Sequence, residues 1–106
     1  MVKRGEVWLV NLDPTVGSEI RKSRPCVVIS PQELHDHLRT VIVAPMSSKG
    51  FEAPFRIALT FNDTSGQILL DQLRTVDKSR LAKRLGAVSE SVLEHTLQVL
   101  RELFEA

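Results

Sequence analysis

The sequence has one cysteine, no tyrosine and only five aromatic residues, Trp8 and four phenylalanines. A lone Cys26 excludes an internal disulfide and fits a reducing compartment, so a cytoplasmic location is expected. Charge of either sign is not in excess: 14 Lys and Arg against 13 Asp and Glu leave a net +1. Any basic surface for a polyanion must therefore be local rather than global. No apolar run approaches the ~20 residues of a membrane span, and "MVKRGEV" lacks the apolar core of a signal peptide, so no membrane partner is expected. Five aromatics, most at strand positions, do not make an evident stacking platform for single-stranded nucleic acid; Phe51, in the loop-like "SKGFEAP", is the exception.

What remains is the profile of a soluble globular chain, 42% hydrophobic and 25% charged. Its 106 residues fit one domain spanning 1–106. Five stretches read as strands: "EVWLVNL" (6–12), "PCVVIS" (25–30), "TVIVAPM" (40–46), "FRIALTF" (55–61) and "GQILLDQLRTV" (66–76). The second and third are almost continuously apolar. The fourth alternates, with Phe55, Ile57, Leu59 and Phe61 on one face, and the turn signal "NDTSG" precedes the fifth. "RLAKRLGAV" allows one further short strand.

The period then changes. Val92, Leu93, Thr96, Leu97, Leu100, Leu103 and Phe104 share one helical face, which predicts a helix over about 90–105. Ser89 is its candidate N-cap, with Ser91 and Glu94 as an alternative capping box. A run of strands closed by one helix predicts a mainly β fold: a small antiparallel barrel with the C-terminal helix over one opening.

Chemistry concentrates in "DPTVGSEIRKSRP" (13–25), a connection far longer than two strands require. It carries Glu19, Arg21, Lys22 and Arg24 within six residues. Attack on a phosphodiester needs these types, guanidinium donors for the phosphate oxygens and a base for the attacking hydroxyl. A solvated charged loop has the same composition. Arg24 stands apart because Pro25 and the apolar run behind it restrain its backbone. In "APMSSKG" (44–50), Ser47, Ser48 and Lys49 could hold a phosphate or simply satisfy a turn. "LLDQLRTVD" (69–77) read as a strand puts Asp71, Leu73 and Thr75 on one face and Gln72, Arg74 and Val76 on the other. A carboxylate inside a sheet calls for a paired cation or a function. "HDH" would put His35 and His37 on one side of a strand, but no further ligand has a recognisable spacing. That segment, "PQELHDHLR", is expected to be a polar connection and no metal is expected. His95, beside Glu94, is expected on the exposed side of the helix.

Three blocks, "RGEVWLVNLDPTVGSEIRKSRPCVVIS", "TVIVAPMSS" and "ILLDQLRTVDKSRL", together resemble the PemK/MazF family of toxin endoribonucleases over essentially the whole chain. The first is the most specific, with R-G-E-V-W followed by D-P-x-x-G-x-E and R-P. The resemblance implies a strongly twisted, SH3-like barrel of the MazF/CcdB type, active as a homodimer. It implies sequence-specific, metal-independent cleavage of single-stranded RNA without a cofactor, leaving a 2′,3′-cyclic phosphate and a 5′-hydroxyl. It further implies an antitoxin whose disordered acidic C-terminal segment covers the RNA groove.

By the same resemblance Arg24 stabilises the pentavalent dianion, Ser47 holds a phosphate oxygen and Glu19 is the base. Arg21, Lys22, Ser48, Lys49, Asp71, Gln72 and Arg74 are the expected RNA contacts. The chain departs from some members at Ser18, where they carry histidine, and at Leu69, where they carry an arginine used as an acid. Both departures favour a site on Glu19, Arg24 and Ser47 over one centred on Asp71. Two other readings share the fold: a CcdB-like protein that poisons gyrase by binding, and an inert interaction module. "RELFEA" lacks the end expected of a gyrase poison, and the retained Glu19, Arg24 and Ser47 argue against inertness.

Overall fold

The computed structural model describes all 106 residues. Its elements are β1 (Glu6–Asn11), β2 (Ser23–Val28), α1 (Gln32–His37), β3 (Thr40–Ser47), β4 (Arg56–Phe61), β5 (Thr64–Leu69), β6 (Arg74–Asp77), β7 (Leu81–Ala87) and α2 (Glu90–Leu103). Short 3-10 turns at Leu70–Gln72 and Lys78–Arg80 flank β6. The strands form one antiparallel sheet in the order β4-β5-β3-β2-β1-β7, and β6 also pairs with β3. No helix is long and apolar enough to cross a membrane.

The two central strands explain the continuous apolar runs. Side chains alternate across a strand, and both faces of β2 and β3 are covered. Val27, Ala44 and Met46 join Val7, Ile57, Ile68, Leu70 and Leu100 in one core, against which α2 lays Val92, Leu97 and Val99. Cys26, Val28, Val41 and Val43 join Val10, Leu12 and Val76 in a second core on the other face. Burial pushes the Cys26 thiol up to about 12 against the opposing charge of Arg74, so this cysteine is a packing residue. The curled sheet with a helix over one core agrees with the expected architecture. Ser89 caps α2 as expected, its side chain accepting the Val92 N–H at 3.2 Å.

Two expectations change. "PQELHDHLR" contains the helix α1, and His35 faces inward at 6% exposure. Its Nδ1 lies 3.1 Å from the Val2 carbonyl, which can only accept, so Nδ1 carries the hydrogen. Ser30 Oγ lies 2.6 Å from Nε2, hydrogen-bonded to the ring, and accepts from Ile42 N at 3.0 Å. His37 is exposed, so the two rings share no face. The expected strand 66–76 is likewise two strands joined by a corner. β5 pairs with β4 and with the end of β3, whereas β6 pairs with the beginning of β3. The 3-10 turn moves the chain between them while burying both Leu69 and Leu70. Strict alternation of Asp71 with Gln72 is thereby lost.

Candidate active site

β2 and β3 bring the first pair of site residues together. Cys26 lies opposite Pro45 in their ladder, so Arg24 and Ser47 continue the same two strands to the same end of the sheet. Both line a cleft of about 280 Å³, with Ser48 on its rim. The far wall is the β4–β5 hairpin, whose two-residue turn Asn62–Asp63 is left-handed (φ 48° and 63°). That turn brings Thr64 and Ser65 to the cleft, which makes their hydroxyls site candidates that the sequence reading passed over as turn formers. The signal was the Asn-Asp pair between two alternating strands, which marks a tight hairpin.

Arg24 is half-buried and has no carboxylate within ion-pairing distance. Its Nε donates to the Arg21 carbonyl at 3.3 Å, leaving both terminal nitrogens for a ligand. Pairing with Val10 and the following Pro25 fix its backbone. Ser47 Oγ accepts the Lys49 N–H at 3.1 Å, which turns the chain after β3 and leaves the hydroxyl hydrogen free to donate. A guanidinium with free terminal nitrogens and a hydroxyl donor on residues lining one cleft are groups that can hold an anion.

The remaining candidates lie elsewhere. Glu19 does not line this cleft. It lines a separate, smaller one with Ile20, Asp71, Gln72, Leu73 and Arg74. Its Oε1 accepts the Val16 N–H at 2.6 Å, and no hydrogen bond engages its Oε2. Gln72 brackets Glu19: its Oε1 accepts from Ile20 N at 2.9 Å and its Nε2 donates to Ser18 O at 3.3 Å. Arg74 donates to Leu12 O at 3.0 Å, and Arg80 donates to the carbonyls of Asn11 and Asp13. The loop is thus held by side chains from the far end of the sequence. Arg21 donates to Gly17 O at 3.4 Å, while the Lys22 and Lys49 side chains are exposed with no bonded partner. Lys22 has a left-handed φ of 68° where the loop returns to the sheet.

Asp71 is ion-paired. Arg56 Nε and Nη2 meet its two oxygens at 3.1 and 2.9 Å, a bidentate pair. Arg56 was missed in the sequence because it is an ordinary strand-start residue there. In the ladder it stands opposite Leu69.

The fold and cleft can now be set beside known proteins. The family described as PemK-like, MazF-like toxin of type II toxin–antitoxin system matches residues 3–104. The chain belongs to this family. It is 36% identical over 102 residues to the endoribonuclease PemK of Escherichia coli, covering 91% of this chain and 77% of that one. Among solved structures it is similar to MazF from Deinococcus radiodurans, with a TM-score of 0.84 and 28% identity over 96% of this chain and 94% of that one. It is also similar to a chain of a MazE–MazF structure from the same organism, with a TM-score of 0.77 and 25% identity over 96% and 93% of the two chains. For this PemK/MazF-family toxin the departure at Leu69 has a structural counterpart: the guanidinium beside Asp71 comes from Arg56 on the neighbouring strand.

Proposed function

We propose that this protein is a toxin endoribonuclease that cleaves single-stranded RNA by attack of a ribose 2′-hydroxyl on the adjacent phosphorus. The observation that carries this reading is the convergence of Arg24 and Ser47 on one cleft, in a chain of the PemK/MazF family. The 2′-oxygen bonds to phosphorus as a base removes its proton. The bond to the 5′-oxygen then breaks and that oxygen is protonated, giving a 2′,3′-cyclic phosphate and a 5′-hydroxyl. Charge builds on the non-bridging oxygens in the pentavalent state. Fixed donors aimed there supply much of the acceleration. Arg24 is that donor, permanently charged and better suited to clamp the dianion than to give up a proton. Ser47 donates to one phosphate oxygen and fixes its position.

Glu19, the expected proton acceptor, lines a separate cleft with its Oε2 unbonded, so its role as base in this reading requires the 13–25 loop to bring that oxygen to the 2′-hydroxyl. Lys22, Lys49 and Arg21, exposed and close in sequence to Arg24 and Ser47, supply positive charge for the flanking phosphates. The same charge suits an acidic, disordered antitoxin segment, and one similar solved structure is a MazE–MazF assembly. The working form is a homodimer in the cytoplasm, where its RNA substrate lies.

The test is incubation of the purified protein with long single-stranded RNAs in excess EDTA, followed by mapping of the new 5′ ends. Discrete cuts at one short motif with 5′-hydroxyl ends, absent with Arg24→Ala, are expected. Intact RNA across several long transcripts would reject the reading and direct the next assay to gyrase.

A further inference from the structure

We propose that Phe51, held against the Arg56 guanidinium, is a stacking subsite for one unpaired RNA base beside the phosphate bound at Arg24 and Ser47. The proposal rests on the ribonuclease reading and adds a base-binding surface to it.

Phe51 is 59% exposed and belongs to neither core. A single exposed ring is ordinary; what sets Phe51 apart is that its surroundings hold it still. Three contacts do so. Gln67 Nε2 donates to the Phe51 carbonyl at 3.1 Å. The Arg56 guanidinium carbon lies 4.2 Å from the ring centroid. The Phe55 ring meets it nearly perpendicularly, at 6.5 Å between centroids. Arg56 is itself immobilised by its bidentate pair with Asp71 and keeps Nη1 unbonded. The preceding Gly50 closes the turn against Arg56 Nη1 and Gln67 Oε1, which would stand 2.8 and 2.7 Å from any Cβ there.

The position suits a nucleotide next to the cleft. Gln67, which anchors Phe51, is the cross-strand partner of Ser47. Directly opposed residues on antiparallel strands lie about 5 Å apart, and Gly66, which precedes Gln67, lines the cleft, so the segment that carries Phe51 is tied to the strand bordering that cleft. An exposed ring presents a π-face to any base, and an adjoining guanidinium adds attraction for the base or for its phosphate. Ordering both side chains before RNA arrives reduces the entropy lost on binding. The competing role for the ring is a lid over the Arg56–Asp71 pair, which any bulky apolar side chain could perform.

The experiment uses an RNA oligonucleotide carrying the mapped cut site, a 2′-deoxy sugar at the attacking position and 2-aminopurine at each flanking position in turn. Wild-type protein should quench the probe at one flanking position. Phe51→Ala should abolish that quenching and weaken binding about 10-fold or more, the range of base–aromatic stacking. On cleavable RNA the loss should fall on KM rather than kcat. Phe51→Trp should restore both signals and Phe51→Leu neither; rescue by leucine would overturn the proposal in favour of the lid. Wild-type quenching and affinity in Phe51→Ala, with Arg24→Ala inactive, would reject the stacking subsite and leave the ribonuclease reading standing. Loss of binding to an acidic antitoxin peptide with unchanged RNA binding would also overturn it. Absence of any cut site in the wild-type protein would remove both.

Discussion

Gln72 Oε1 accepts the backbone N–H of Ile20 at 2.9 Å across 52 positions of sequence. Its Nε2 grips Ser18 O as well, so one side chain holds the residues on both sides of Glu19. Gln72→Ala removes two hydrogen bonds worth about 1 kcal/mol each. Cleavage should fall about 10-fold by the loss of loop placement. Hydrogen exchange at the Ile20 amide should accelerate in the same variant. Gln72→Glu keeps the acceptor for Ile20 and loses the donor for Ser18, so Ile20 protection should persist in part. Unchanged exchange at Ile20 in the alanine variant would show that Gln72 does not hold the loop.

The two cleft residues should rank. Arg24→Ala should reduce kcat by about 100- to 1,000-fold, the loss seen when a fixed donor to a developing oxyanion is removed. Arg24→Lys keeps the charge and loses the fork, so it should recover only part. Ser47→Ala should cost less than Arg24→Ala, and Ser48→Ala little, because Ser48 lies exposed at the rim. A larger loss at Ser48 than at Ser47, measured by single-turnover cleavage, would exchange their assignments.

Gly66 has no room for a methyl group. A Cβ there would stand 2.8 Å from the Ser47 carbonyl oxygen, a backbone atom in the β3–β5 ladder that cannot swing aside. Gly66→Ala should therefore displace Ser47. The expected outcome is a lower melting temperature together with a loss of cleavage at least as large as that of Ser47→Ala. Wild-type melting and activity would contradict the packing.

Acid stability should carry the signature of Glu6. Burial raises the pKa of its carboxyl, but hydrogen bonds from Arg84, Lys3 N and Trp8, with the Arg84 charge, outweigh it and leave the value below the ordinary 4.5. A carboxyl with a depressed folded-state pKa stabilises fully above its unfolded value, and that contribution disappears as pH falls through the folded one. Glu6→Gln should thus be less stable than wild type near pH 7, by urea unfolding. The gap should narrow steadily as pH falls below about 4.5. A gap independent of pH would assign the loss to packing.

Much of the architecture was legible because burial writes itself into periodicity. The unbroken runs of β2 and β3 mark strands covered on both faces, and the spacing from Val92 to Leu100 marks a helix over a core. Ser89 was legible because an N-cap is chosen by its immediate neighbours. α1 was not, because six residues offer too few turns to display a period. The break at Leu70–Gln72 was also hidden, since it answers to a change of pairing partner on β3 that local sequence does not encode. Among the candidate residues, Arg24 and Ser47 were suggested by their motifs and share a cleft. Glu19, Asp71, Gln72 and Arg74 group around a separate one.

The sequence by itself determined the mainly β class, the closing helix, the family and the presence of cations and hydroxyls suited to a phosphate. These follow from composition, period and motif, which are properties of neighbours along the chain. Only the tertiary structure decided how those groups are employed. It bound Asp71 to Arg56, turned Gln72 and Arg74 toward the first loop, and placed Phe51 against a fixed guanidinium beside the strand partner of Ser47. The reason is that hydrogen-bond partners and ladder register join residues tens of positions apart, and those pairings exist only once the sheet has curled.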